Sequence, residues 1–154
     1  MEKQDWRDRL RACFESIDIL EKCKFETVEN FKQFCEFIAE PAFEALAEEL
    51  KKYGVKAKHG ILRGKSISLR FYFPRSSEEN FLYSIFLPKN SVELRLRLFI
   101  KGRKTIKSPW EEKDEAFIVK VPADKIIKIA KEELIEDIIE HYKDFTYAAL
   151  TSPD

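Results

Sequence analysis

The spacing of apolar side chains changes twice along this chain, and those changes constrain what it can fold into more than any other feature. Up to Tyr53 apolar residues recur every three or four positions. In several stretches between Val55 and Val121 they recur at every second position, and beyond Asp124 the longer period returns. A period near 3.6 lines one stripe of a helix, whereas a period of two lines one face of a strand. The chain therefore reads as helix, then sheet, then helix.

In the first block Trp6, Leu10, Cys13, Ile17 and Leu20 are spaced 4, 3, 4 and 3, which places them on one helix face. Core packing is the expectation for this stripe, ahead of a short coiled-coil seam. A break is expected near Lys24–Thr27, after which Val28, Phe31, Cys35 and Ile38 form a second stripe. Pro41 lacks an N–H and disfavours helix at Glu40, so either a new helix starts there or a long one kinks. Ala42, Leu46, Leu50 and Tyr53 carry the pattern to Gly54, a natural stop.

In the middle block Ile67, Leu69, Phe71 and Phe73 alternate with polar or amphipathic residues. So do Val92, Leu94, Leu96, Leu98 and Ile100. Between them Phe81, Tyr83, Ile85 and Leu87 give a third strand with an inner face. Val55 to Leu62 is expected to pair across Arg63-Gly64, and Phe117, Val119 and Val121 to add a short strand. Links as short as Arg63-Gly64 and Lys89-Asn90-Ser91 suit antiparallel hairpins. Pro122 ends the last strand, and Asp124 is a fair N-cap for a final helix. Its stripe is Ile127, Ala130, Leu134, Ile138, His141, Phe145 and Ala149, bordered by a ridge of Glu133, Asp137, Glu140 and Asp144.

The expected architecture is α+β: N-terminal helices, a four- to five-stranded antiparallel meander, and a long C-terminal helix packed on one face of the sheet. All 154 residues are expected in one domain, with helices over 1–53, sheet over 55–121 and the last helix over 123–150. Three cysteines, all in helical pattern, point to reduced thiols. No apolar run approaches membrane-spanning length, so a soluble cytoplasmic protein is expected. Sparse Gln and Asn beside abundant Lys, Glu and Ile resemble the composition of heat-adapted proteins.

Charge is distributed unevenly beneath an overall balance of 28 basic and 28 acidic residues. Residues 1–53 carry a net of −4, residues 54–107 a net of +10, and residues 108–154 a net of −6. Within the basic block, Val92–Lys107 holds six basic side chains and one acid. The bland account is intramolecular pairing with the acidic ridge of the last helix, whose like charges repel one another at i, i+3 and i, i+4 spacing.

Chemistry-bearing motifs are absent from the sequence. Only His59 and His141 offer an imidazole. The first lies in strand pattern. The second lies inside an apolar stripe four residues after Asp137, where a satisfied core histidine is the simpler account. Cysteine spacing does not suit zinc, no Glu-x-x-His precedes His141, and no glycine-rich phosphate loop occurs. The acidic run Trp110–Glu115 lacks the pattern of a calcium loop and is expected to be a solvated turn. No catalytic residues, metal ligands or cofactors are therefore assigned, and an enzyme is not expected.

The pleat turns the charge into a surface. With the apolar set facing the helices, the other face shows Arg70, Tyr72, Arg95, Arg97, Phe99 and Lys101, with Leu82, Ser84 and Phe86. The turn beginning at Gly102 adds Arg103 and Lys104. The expected function is non-enzymatic binding of an acidic protein surface, or of a second copy, through this face. Single-stranded nucleic acid is the alternative, since cations track phosphate while rings stack on bases. A lipophilic ligand held between sheet and helix is a further alternative.

Overall fold

The computed structural model describes residues 5–118 and 121–152. Helix α1 (Trp6–Phe34) leads through a π-helical turn (Cys35–Ala39) into α2 (Glu40–Leu50), and a 3₁₀ turn (Lys51–Tyr53) ends at Gly54. Five strands follow: β1 (Ala57–Leu62), β2 (Ser66–Tyr72), β3 (Glu79–Phe86), β4 (Arg97–Gly102) and β5 (Glu111–Ala116). A 3₁₀ segment (Ala123–Lys128) precedes α3 (Lys131–Thr151). The strands form one antiparallel sheet in the order β1-β2-β3-β4-β5, so the α+β meander is the observed architecture.

The path of the helical half departs from the sequence reading in one place. No break occurs at Lys24–Thr27: α1 runs through it, and the Thr27 hydroxyl donates to the Cys23 carbonyl at 2.8 Å. At Pro41 the first of the two expected outcomes is found, for α2 starts at Glu40 with Pro41 in its first turn. The turn before it widens to π register, with the Glu40 N–H bonding the Cys35 carbonyl, which accommodates a residue that has no N–H of its own. Gly54 then closes the run at φ 76°, a left-handed value open to glycine without a Cβ clash.

In the sheet the inward parity of β2 and β3 holds. Ile67, Leu69, Phe71, Phe81, Tyr83 and Ile85 are buried beneath α2 and α3. Rings from both layers interlock there: Phe43 meets Tyr83 edge-on, and Tyr142 packs on Phe71 with centroids 4.6 Å apart. Gly102 is no turn residue. It ends β4 opposite Phe81, and the Phe145 ring stands 2.5 Å from where its Cβ would be. Phe73 lies just beyond β2 and is half-buried.

Three boundaries are corrected. The alternation from Val92 does not make a strand until Arg97, because β3 runs out: Arg97 already pairs with its last residue, Phe86. Leu94 and Leu96 nevertheless turn inward, while Val92 is exposed. The fifth strand is the acidic run Glu111–Ala116, expected as a solvated turn. Phe117 follows the strand and packs edge-on against Phe34, while Val119 lies outside the described residues. As an exposed edge, β5 carries charges that discourage further strand pairing. Finally, α3 starts at Lys131 and not near Asp124, since Ile129 and Ala130 are extended. The 3₁₀ period of three buries Ile126 and Ile129 where Ile127 and Ala130 were expected, and those two are exposed.

The largest departure is in α1. Only its last quarter, from Thr27, reaches the core. Every residue from Asp5 to Lys22 is exposed, including the whole stripe expected to pack. Among the described residues no helix is long and apolar enough to cross a membrane.

Candidate functional site: the outer face of the sheet

The pleat places Arg70, Tyr72, Arg97, Phe99 and Lys101 together on the side of the sheet away from α2 and α3. Each is half-buried, as are Ser84 and Phe86. Leu82 is buried although it belongs to this face and not to the core cluster. Its register neighbours are Arg70 and Lys101, whose aliphatic stems can shield it. Contacts on this face come from adjoining strands and turns. Ser68 bonds Ser84 at 2.9 Å, and Lys56 lies 5.9 Å from the Tyr72 ring.

Folding supplies carboxylates to this face from β3 and β5. Arg70 pairs with Glu79 at 3.1 Å, and the Arg97 guanidinium donates twice to one oxygen of Asp114, at 2.7 and 3.1 Å. Both arginine side chains keep about two-fifths of their surface open, at 39% and 41%. Ion pairs this exposed contribute about 0–1 kcal/mol and exchange readily for other partners.

Trp110 was not among the expected site residues. It begins the return to β5, and its ring takes Lys101 Nζ and Arg103 Cζ, each 4.4 Å from the centroid. A lone tryptophan before an acidic run gave no periodic signal that would place it. Arg103 is otherwise committed to structure. It donates to the Glu79 and Ile106 carbonyls, pairs with Glu78, and keeps only 13% of its side chain exposed. Arg95 precedes β4, is highly exposed, and pairs with its neighbour Glu93. Lys104 is exposed on the turn.

Two other clusters join residues far apart in the sequence, although the i, i+4 spacing of Asp137 and His141 had pointed to that one pair. On the inner face, the buried Tyr83 hydroxyl donates to Asp137 Oδ2 at 2.5 Å. His141 Nε2 lies 3.5 Å from that same oxygen and 3.4 Å from Glu115 Oε1. Burial first, and Asp137 second, push the Tyr83 hydroxyl well above its ordinary range. The cluster ties β3, β5 and α3 together, and it turns Asp137 inward from the acidic ridge, leaving Glu133, Glu140 and Asp144 exposed. Separately, Glu40 and Glu44 of α2 and His59 of β1 bring ligand atoms within 4.8 Å of one another. That donor set suits zinc or iron chemically. Within it, His59 Nε2 lies 3.7 Å from Glu40 Oε1, a contact that is an ion pair when the imidazole is protonated.

Comparison with protein-family models, with curated proteins and with solved structures finds no match to this chain. The fold and surface define a helix-on-sheet module with an arginine- and aromatic-bearing face, and the functional reading comes from that face alone.

Proposed function

We propose that the protein is a non-enzymatic binding module whose outer sheet face, centred on Arg70, Tyr72, Arg97, Phe99 and Lys101, docks an acidic protein surface. The observation that carries this reading is the combination of half-open arginines with fixed rings, Trp110 included, on a face that the helices leave uncovered. Arginine, tyrosine and tryptophan are enriched among the anchors of protein interfaces, the two aromatics because they bury much surface at small entropic cost. An incoming carboxylate exchanges with Glu79 or Asp114 at little net expense, since those pairs are solvent-exposed.

A protein partner is favoured over single-stranded nucleic acid by the border of the site. Asp114 lies beside Phe99 in register and Glu112 beside Lys101, so a phosphate backbone crossing the face meets fixed negative charge. The lipophilic-ligand alternative needs a chamber between sheet and helices, where packed rings lie instead.

The test is titration with a labelled random copolymer of glutamate and tyrosine at low salt beside labelled oligothymidylate. The glutamate–tyrosine copolymer binds the wild type and weakens as salt rises, while the triple variant Arg70→Glu, Arg97→Glu, Lys101→Glu loses that binding and keeps a cooperative melt. Undiminished binding by the triple variant, or binding of oligothymidylate alone, refutes the proposal.

A further inference from the structure

Helix α1 is 29 residues long, or roughly 43 Å at 1.5 Å per residue. Its apolar stripe steps 4, 3, 4, 3 through Trp6, Leu10, Cys13, Ile17 and Leu20, then continues in the same rhythm through Lys24, Thr27, Phe31 and Phe34. The protein's own core covers the last three. The earlier part is bare, with Trp6 at 63% exposed, Leu10 at 50% and the adjacent Phe14 at 59%. It is one seam, its last third buried by its own fold and its five apolar members before Lys24 without a partner. A helical arm held in water by its own backbone bonds, the Asp5 cap and exposed ion pairs is only marginally stable, so the bare part calls for a covering surface.

We propose that this arm pairs antiparallel with the same segment of a second copy. The 4-3 rhythm is that of a two-stranded coiled coil. Alignment about a two-fold axis between Cys13 and Ile17 sets Leu10 opposite Leu20 of the second copy, Cys13 opposite Ile17, and Trp6 opposite Lys24. Flanking positions then bring Arg7 beside Glu21 of the second copy, twice per dimer, and Phe14 against its own mate. Charge order favours this direction, because residues 5–11 hold Arg7, Arg9 and Arg11 against Asp5 and Asp8, a net of +1, and residues 15–22 hold Glu15, Asp18 and Glu21 against Lys22, a net of −2. A parallel pair would instead stack Lys24 on Lys24 within the seam. In the antiparallel pair each Lys24 ammonium meets a Trp6 ring, an attractive contact. At roughly 100 Å² apiece, six apolar side chains from each copy bury about 1,200 Å², enough for a specific interface.

This inference goes beyond the sheet-face reading and uses none of its residues, so the two fail separately. Sedimentation equilibrium of the whole chain over about 1–300 µM measures it, with a reversible dimer as the expected species. Leu10→Asp with Ile17→Asp gives a monomer throughout while the core's cooperative melt persists, since both residues lie outside the core. Arg7→Glu raises the dimer Kd about tenfold, and adding Glu21→Arg restores it. For direction, Ile17→Cys with Cys23→Ser is oxidised with copper–phenanthroline, and the linked peptides are mapped. Antiparallel pairing joins Cys13 to the introduced cysteine. A monomer at every concentration, a Cys13–Cys13 link in the wild type, or a monomer that binds only anionic phosphatidylserine vesicles each overturns the proposal.

Discussion

Replacing Gly102 by alanine tests how α3 is seated on the sheet. No left-handed backbone conformation requires glycine at this position, unlike Gly54 and Gly64. By chain entropy alone, Gly→Ala at such a site stabilises a protein by about 0.4–1 kcal/mol. Here the new methyl would stand 2.5 Å from Cε2 and Cζ of Phe145 and 2.8 Å from Cε1, so it lands on the edge of the ring. The ring has little room to retreat, because Phe81 packs on it with centroids 5.7 Å apart. Overpacking of this kind costs about 1–3 kcal/mol, which outweighs the entropic gain. The net expectation is a loss of about 1–2 kcal/mol, seen as a melting temperature lower by about 2–8 °C in a chain of this size. Calorimetry of wild type, Gly102→Ala, Phe145→Leu and the double variant closes a thermodynamic cycle. The double variant is more stable than the two single losses added together, by about 0.5 kcal/mol or more. A Gly102→Ala protein as stable as wild type would mean that Phe145 does not sit over β4, and the placement of α3 would fall with it.

Alkaline stability depends on Cys35, whose burial, reinforced by the nearby Glu40 carboxylate, pushes its thiol up to about 12 from an ordinary 9.0. Below pH 9 the proton stays on in both states. Above it the unfolded chain ionises while the native chain does not, so stability falls until pH 12. By pH 10.5 the loss is about 2 kcal/mol, and urea titrations of wild type and Cys35→Ala should show their difference shifting by that amount from its value at pH 8; a difference independent of pH refutes it. Tyr83→Phe removes the hydroxyl that bonds Asp137 and leaves that half-buried carboxylate with His141 alone, at a cost of about 1–3 kcal/mol in thermal unfolding; an unchanged melt would mean that Asp137 finds water instead.

Alternation was the legible part of the sequence, because a pleat imposes parity whatever else the chain does. It gave the inner faces of β2 and β3 and the outward set Arg70, Tyr72, Arg97 and Phe99. Strand β5 was illegible for the complementary reason. Glu111 to Glu115 contain no apolar residue to alternate, and only the ladder with β4 makes them a strand. Periodicity in α1 correctly named a stripe, but a stripe says which side chains share a face and not whether anything covers them. The carboxylates that meet Arg70 and Arg97 escaped notice because strand pairing, not sequence proximity, delivers them.

The positive corner of a neutral chain thus has a two-part account. Part of it is internal balance, since the acidic edge strand lies against β4 and places Asp114 and Glu112 among the arginines and lysine of the outer face. That balance holds at the level of charge, but each pair is solvated and therefore weakly committed. Rings fixed between the cations add what charge alone lacks, a shape that water does not complement. A face of this kind discriminates by geometry. Partners that offer carboxylates together with apolar contact gain from it, whereas a uniform polyanion pays repeatedly at the acidic border. The bare stripe of α1 follows the opposite logic, with apolar surface as its main content and charge serving only to choose direction. Since the two surfaces draw on different forces, raising the salt concentration weakens docking on the sheet while sparing the helical seam.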